Sequence, residues 1–179
     1  MKFIQQGISL RCILTALALF VTASAAVADS IFLEPSDFLS GVFADAVPKV
    51  RVLWLTPDIR AEATRILGHE PTQLRQKYWT DGHRKVWILE EIGKEDPITA
   101  GFVINEGRIE QARVLIYRES RGGEIRYPSF VAQFRGAALA VDGRLNREID
   151  GISGATLSVN AMLRMSRVAL FYANAAAVK

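Results

Sequence analysis

Between Ile98 and Tyr117 the apolar residues keep a strict rhythm. Ile98, Ala100, Phe102 and Ile104 occupy every second position, Asn105-Glu106-Gly107 interrupts them, and Ile109, Val114 and Ile116 resume with Leu115 and Tyr117. Period-two alternation around a short Gly-containing turn predicts a β-hairpin. A hairpin with one apolar face is not stable alone in water and needs further strands or a helix against that face. The helix is available at Thr156–Tyr172, where Leu157, Ala161, Met165, Val168 and Tyr172 form one stripe. The expected fold class is α+β, an antiparallel sheet with packed helices.

Other segments extend this reading. Pro48–Thr56 has Val50, Val52 and Trp54 on one face and Leu53 and Leu55 on the other, which predicts a strand buried on both sides. Thr56-Pro57-Asp58 predicts a helix start, with Thr56 as cap and Pro57 in the first turn. Ile59, Ala63, Ile66 and Leu67 give that helix its apolar face, and Gly68 ends it. A short helix is expected near Ser36, a turn at Asp81-Gly82, a strand over Lys85–Ile92 and a short helix over Pro128–Phe134. No repeat, linker or low-complexity tract divides the chain, so one domain of about 150 residues follows the leader.

That leader is residues 1–28. Lys2 and Arg11 are its only charges, an apolar run spans Cys12–Val21, and Ala26-Val27-Ala28 forms an A-x-A site. These features predict a secretory signal peptide cleaved after Ala28. The competing reading is an uncleaved membrane anchor, for which the run is short and rich in Ala and Ser. Either way the remainder is expected in the periplasm or another extracytoplasmic space, membrane-associated if the leader is kept. Cys12 is the single cysteine. The chain beyond the leader therefore has no disulfide, thiolate ligand or cysteine nucleophile. The formal charge of +3 includes both leader cations, and no basic tract supports a nucleic-acid partner.

The chemistry concentrates in Asp150-Gly151-Ile152-Ser153-Gly154-Ala155-Thr156-Leu157-Ser158, which opens the strongest helix. A helix start offers free N–H groups and the positive end of the helix dipole, a ready site for phosphate. Ser153, Gly154 and Ala155 are small enough to admit it, and Ser153, Thr156 and Ser158 carry hydroxyls. Ordinary helix capping explains the same residues, and from the residues alone it has the better claim.

The motif Asp150-x-x-Ser153-Gly154-Ala155-Thr156 resembles the flavinylation motif of the FMN-binding domain family. This family includes the periplasmic flavoprotein subunits of the Rnf complex and of the sodium-translocating NADH:quinone oxidoreductase. Two upstream elements fit in order and spacing. Val114-Leu115-x-x-x-Arg118-Glu119-Ser120 with Gly122-Gly123 resembles the family's strand end, and Phe130-x-x-Gln133-Phe134-x-Gly136 its aromatic element. The likeness covers roughly Ile98–Tyr172, with Phe130 standing where tryptophan is usual. It divides the chain into a leader (1–28), an unmatched first part (29–95) and an FMN-binding region (96–179).

The resemblance implies FMN held covalently as a phosphoester on Thr156, attached by a flavin transferase that uses FAD and magnesium. It implies a phosphate cradle of Ser153, Gly154 and Ala155, with Asp150 serving recognition and loop geometry, since its charge repels phosphate. Glu119, Ser120, Gln133 and Phe134 fall on the isoalloxazine side, with core packing as the competing role for Phe134. The protein would be an electron carrier, or a subunit of a redox complex, with a membrane-bound redox partner. The flavin would supply the chemistry. The alternative is an exported non-redox module that binds a phosphate-bearing ligand non-covalently at the same helix start. A reductase acting on its own soluble substrate is disfavoured, because no nicotinamide-binding fingerprint is present.

Other residues carry less. Gly151-Ile152-Ser153-Gly154-Ala155 approaches a hydrolase nucleophile elbow, but both histidines, His69 and His83, precede the serine. They lack cysteine partners for a metal site and suit a helix end and a turn. Trp54, Trp79 and Trp87 are expected in core or interface. Arg60, Arg65, Arg75, Arg84, Arg118 and Arg126 are expected on a solvated surface, where some could guide an acidic redox partner.

Overall fold

The computed structural model describes residues 30–44 and 46–177, and the expected leader lies outside them. One antiparallel sheet of six strands has the order β1-β6-β5-β4-β3-β2. The strands are β1 (Ser30–Ile31), β2 (Arg51–Trp54), β3 (Arg75–Thr80), β4 (Arg84–Ile92), β5 (Pro97–Asn105) and β6 (Arg108–Tyr117). The helices are α1 (Pro35–Phe43), α2 (Pro57–Leu67), α3 (Pro128–Val131) and α4 (Thr156–Ala175).

The hairpin β5–β6 has the turn its sequence requires. Asn105 pairs with Arg108, and Glu106 and Gly107 take φ of 49° and 72° between them. Two left-handed residues match the twist of the flanking strands. Farther along, Thr99 faces Ile116 but Ala100 faces Val114. The skipped residue, Leu115, joins the cluster under α1 instead of the main core.

Two apolar layers follow. Trp87, Ile98, Phe102 and Ile109 of the sheet pack with Met162, Met165 and Leu170 of α4, and Ala63 and Ile66 of α2 close the same layer. On the opposite face Phe38, Leu39, Val42 and Phe43 of α1 cover Val86, Val103 and Leu115. Gly101 allows this contact, since a Cβ there would lie 2.3 Å from Phe38 Cε1. Burial of the apolar stripes of α1, α2 and α4 supplies the main drive for folding.

Two expectations change. The strand in Pro48–Thr56 is buried on one side only. Leu53 and Leu55 face the core, while Val52 and Trp54 are exposed. β2 is an edge strand, and α1 lies over β4–β6 rather than over it. Leu157 belongs to the α4 stripe by spacing, yet it is 49% exposed, because the first turn of α4 presents Ser158 and Val159 to the interior instead. No helix among the described residues is long and apolar enough to cross a membrane.

Candidate functional site

Three distant segments meet at the start of α4. The first is the stretch after β6. There the Tyr117 hydroxyl donates to the Arg121 carbonyl and lies 3.0 Å from Ser158 Oγ. Burial raises the Tyr117 pKa, which keeps the phenol protonated as a donor. Gly122, at φ +88°, sits under this pair. A Cβ there would come within 2.8 Å of Ser158 Oγ and 2.9 Å of Tyr117 Oη, so only glycine lets the turn close onto α4.

The second segment is the turn between β4 and β5. Glu119 Oε1 accepts the N–H groups of Lys94, Glu95 (2.8 Å) and Asp96 (3.1 Å). Burial pushes the Glu119 carboxyl up, but those N–H bonds and the Lys94 charge outweigh it and hold the carboxyl below its ordinary range. Glu119 therefore staples two loops together.

The third segment is the helix start itself. Gly154, at φ +82°, turns the chain, and Thr156, at the first helical position, is exposed. No hydrogen bond from a described residue takes up the N–H groups of Thr156, Leu157 or Ser158. These free donors carry the partial positive charge of a 20-residue helix. Lys94, Glu95, Glu119, Ser120, Arg121 and residues 154–158 line a cleft of about 510 Å³. That volume lies within the range of roughly 300–1,000 Å³ usual for small-molecule sites.

The structure thus brings Glu119, Ser120, Gly154, Ala155 and Thr156 into one cleft and adds Lys94 and Arg121, which no local motif announces. Ser153 and Asp150 are exposed on the approach to it, outside its lining. Gln133 acts at a distance: its Oε1 accepts the Asp150 N–H at 2.7 Å and fixes the loop that leads into the motif. Phe134 is fully buried, edge-on to Phe130 with ring centroids 5.5 Å apart. It has no surface to offer a flavin in this arrangement and belongs to the core.

The histidines find other work. His69 Nε2 lies 3.0 Å from both oxygens of the buried Glu91, which Arg164 Nε also reaches at 3.0 Å. Among the described residues no group of three or more His, Cys, Asp or Glu could hold a metal. Of the tryptophans, Trp87 is core, stacked on Tyr78 at 4.8 Å, and Trp54 is 56% exposed.

Residues 93–170 match the FMN-binding domain family model. No curated protein matches the chain in sequence. Among solved structures, NqrC of Shewanella oneidensis superposes with a TM-score of 0.54 at 14% identity, over 80% of this chain and 90% of that one. The corresponding Na(+)-translocating NADH-quinone reductase protein of Parabacteroides distasonis gives 0.51 at 19% identity, over 80% and 87%. At such identities the likeness is one of fold. It extends beyond residues 93–170 into the first part of the chain, where sequence shows no resemblance.

Proposed function

Because residues 93–170 belong to the FMN-binding domain family, we propose that this protein carries FMN as a phosphoester on Thr156 and relays electrons outside the cytoplasm. The observation that carries the reading is the exposed Thr156 hydroxyl at a helix start whose first N–H groups are untaken, inside a cleft with Lys94 and Arg121. The residues fit the group. Free N–H donors and two cations suit a phosphate. The cleft has the size of a small-molecule site.

Thr156 serves as an attachment point. A flavin transferase using FAD and magnesium would bond Thr156 Oγ to the phosphorus of the FMN half, with AMP leaving and the hydroxyl proton released. Gly154 and Ala155 let the phosphate approach the backbone, and Ser153 borders that approach. Glu119 and Gln133 act by holding the surrounding loops rather than by touching the ring. Bound flavin supplies the redox chemistry. The partner is a membrane-bound redox protein, as fits a fold shared with proteins of a Na(+)-translocating NADH-quinone reductase. The signal-like leader supports export, with membrane association if it is retained.

The test is intact mass after periplasmic co-expression with a flavin transferase. A gain equal to FMN minus one water is expected, and it is lost in Thr156→Ala. No gain, with the transferase active on a control protein, overturns the covalent reading. Retained binding of free FMN or phosphate in that case would establish the non-covalent module instead.

A further inference from the structure

The ribbon β2–β3 lies wholly outside residues 93–170 and carries an unusual surface. Residues 46–56 and 71–80 contain Lys49, Arg51, Arg75 and Lys77 and no Asp or Glu. No ion pair between described residues uses any of the four. Elsewhere Arg60 pairs with Glu70, Arg65 with Glu62 and Arg84 with Asp81.

Strand register collects Arg75 and Lys77 with Val52 and Trp54 on one face, while Arg51, opposite Tyr78, belongs to the other. Val52 lies opposite Lys77, and Trp54 opposite Arg75. Cross-strand partners point to the same side of a sheet, and the opposite side holds the buried Leu53 and Tyr78. Val50, Val52 and Trp54 are 49%, 39% and 56% exposed, and the Arg75 guanidinium sits 5.8 Å from the Trp54 ring centre. The outer face is therefore a short apolar strip with two cations, Arg75 and Lys77, along one side of it. Among the described residues the edge of β2 has no strand beyond it, which leaves backbone donors and acceptors open to a further strand.

We propose that this face is the docking surface for a protein partner with an acidic rim around an apolar centre. Charge complementarity decides the class: unpaired cations beside apolar side chains attract carboxylates while the strip loses water. An open strand edge favours a polypeptide over a lipid surface, because only a polypeptide can continue the ladder. The position suits a redox partner. Trp54 and Arg75 stand at the end of the sheet at which β4 runs on toward the Lys94–Asp96 turn that lines the Thr156 cleft. The surface exists whether or not Thr156 carries flavin, so its test needs no cofactor.

The test is titration of the isotope-labelled full chain with polyglutamate, read by amide chemical shifts. Shifts confined to residues 49–54 and 75–79 are expected, with affinity falling as salt rises. Arg75→Glu with Lys77→Glu should weaken binding by roughly tenfold or more, and Trp54→Ala should weaken it at an unchanged Tm. Arg113→Glu with Arg135→Glu, near the opposite edge of the sheet, should leave it unaltered. Shifts centred elsewhere, or binding indifferent to the Arg75 and Lys77 reversals, would overturn the proposal. So would tighter binding to anionic vesicles or duplex DNA than to polyglutamate.

Discussion

The hydroxyl of Tyr117 meets Ser158 Oγ at 3.0 Å and also donates to the Arg121 carbonyl, joining the end of β6 to the first turn of α4. Both side chains are buried, at 4% exposure each. Tyr117→Phe keeps the ring and strands a hydroxyl and a carbonyl, a loss of about 1–3 kcal/mol. Urea denaturation should show a lower midpoint at unchanged slope. Combining Tyr117→Phe with Ser158→Ala should cost less than the sum of the two, because the second change removes the orphaned partner.

Gly122→Ala tests the same junction from beneath. The added methyl meets Ser158 Oγ and Tyr117 Oη below 3.0 Å, and φ of +88° strains any L residue. A cost of about 1–3 kcal/mol is expected from the backbone alone. The clash should also displace the helix start and lower the yield of flavin ester measured by intact mass. Gly151→Ala is the control, since a Cβ there meets nothing within 4 Å. It should leave both the midpoint and the yield near wild type.

The pair His69–Glu91 gives stability a pH dependence near neutrality. Burial opposes charging His69, and so does Arg164, but the Glu70 carbonyl and the Glu91 carboxylate outweigh them and hold its pKa above the ordinary 6.5. Protonation is therefore favoured in the folded state. The contribution is fully present below about pH 6.5 and disappears as pH rises through the folded pKa. The imidazole is 51% exposed, so solvent screening keeps the effect small. Thermal midpoints of His69→Asn should match wild type at pH 8.5 and fall below it at pH 5.5. A deficit independent of pH would refute the assignment.

Much of this was legible in residue order. The alternation around Asn105-Glu106-Gly107 gives the central hairpin, and Thr56-Pro57 with Gly68 brackets α2 within a residue. These signals are local. Leu115 was not legible, because a bulge changes which face it joins. β3 was obscured because Arg75, Gln76 and Lys77 break the apolar rhythm at the sheet edge. At the site, the motif around Thr156 is readable, but Lys94 comes to it only through Glu119 and the sheet turn. Gln133 and Phe134 adjoin in sequence and diverge in role, one bonding Asp150 and the other filling the core. Spacing alone does not distinguish a loop clamp from a core aromatic.

Glu119 offers the sharpest probe of how the cleft is held. Its carboxylate gathers the N–H groups of Lys94, Glu95 and Asp96, and its pKa lies below the ordinary 4.5. The ionised form is thus favoured by folding. Its contribution is fully present above about pH 4.5 and is lost as pH falls through the folded value. Glu119→Gln retains an acceptor oxygen but loses the charge, and each charge-assisted bond is roughly twice as strong as its neutral counterpart. The variant should be less stable than wild type at pH 7 and converge with it toward pH 3. Flavin ester yield at pH 7 should fall as the Lys94–Asp96 turn loosens, while Glu110→Gln, whose side chain accepts from Asn105 away from the cleft, should leave yield unchanged. A stability gap between Glu119→Gln and wild type that persists unchanged at pH 3 would show that shape, not charge, holds the two loops together.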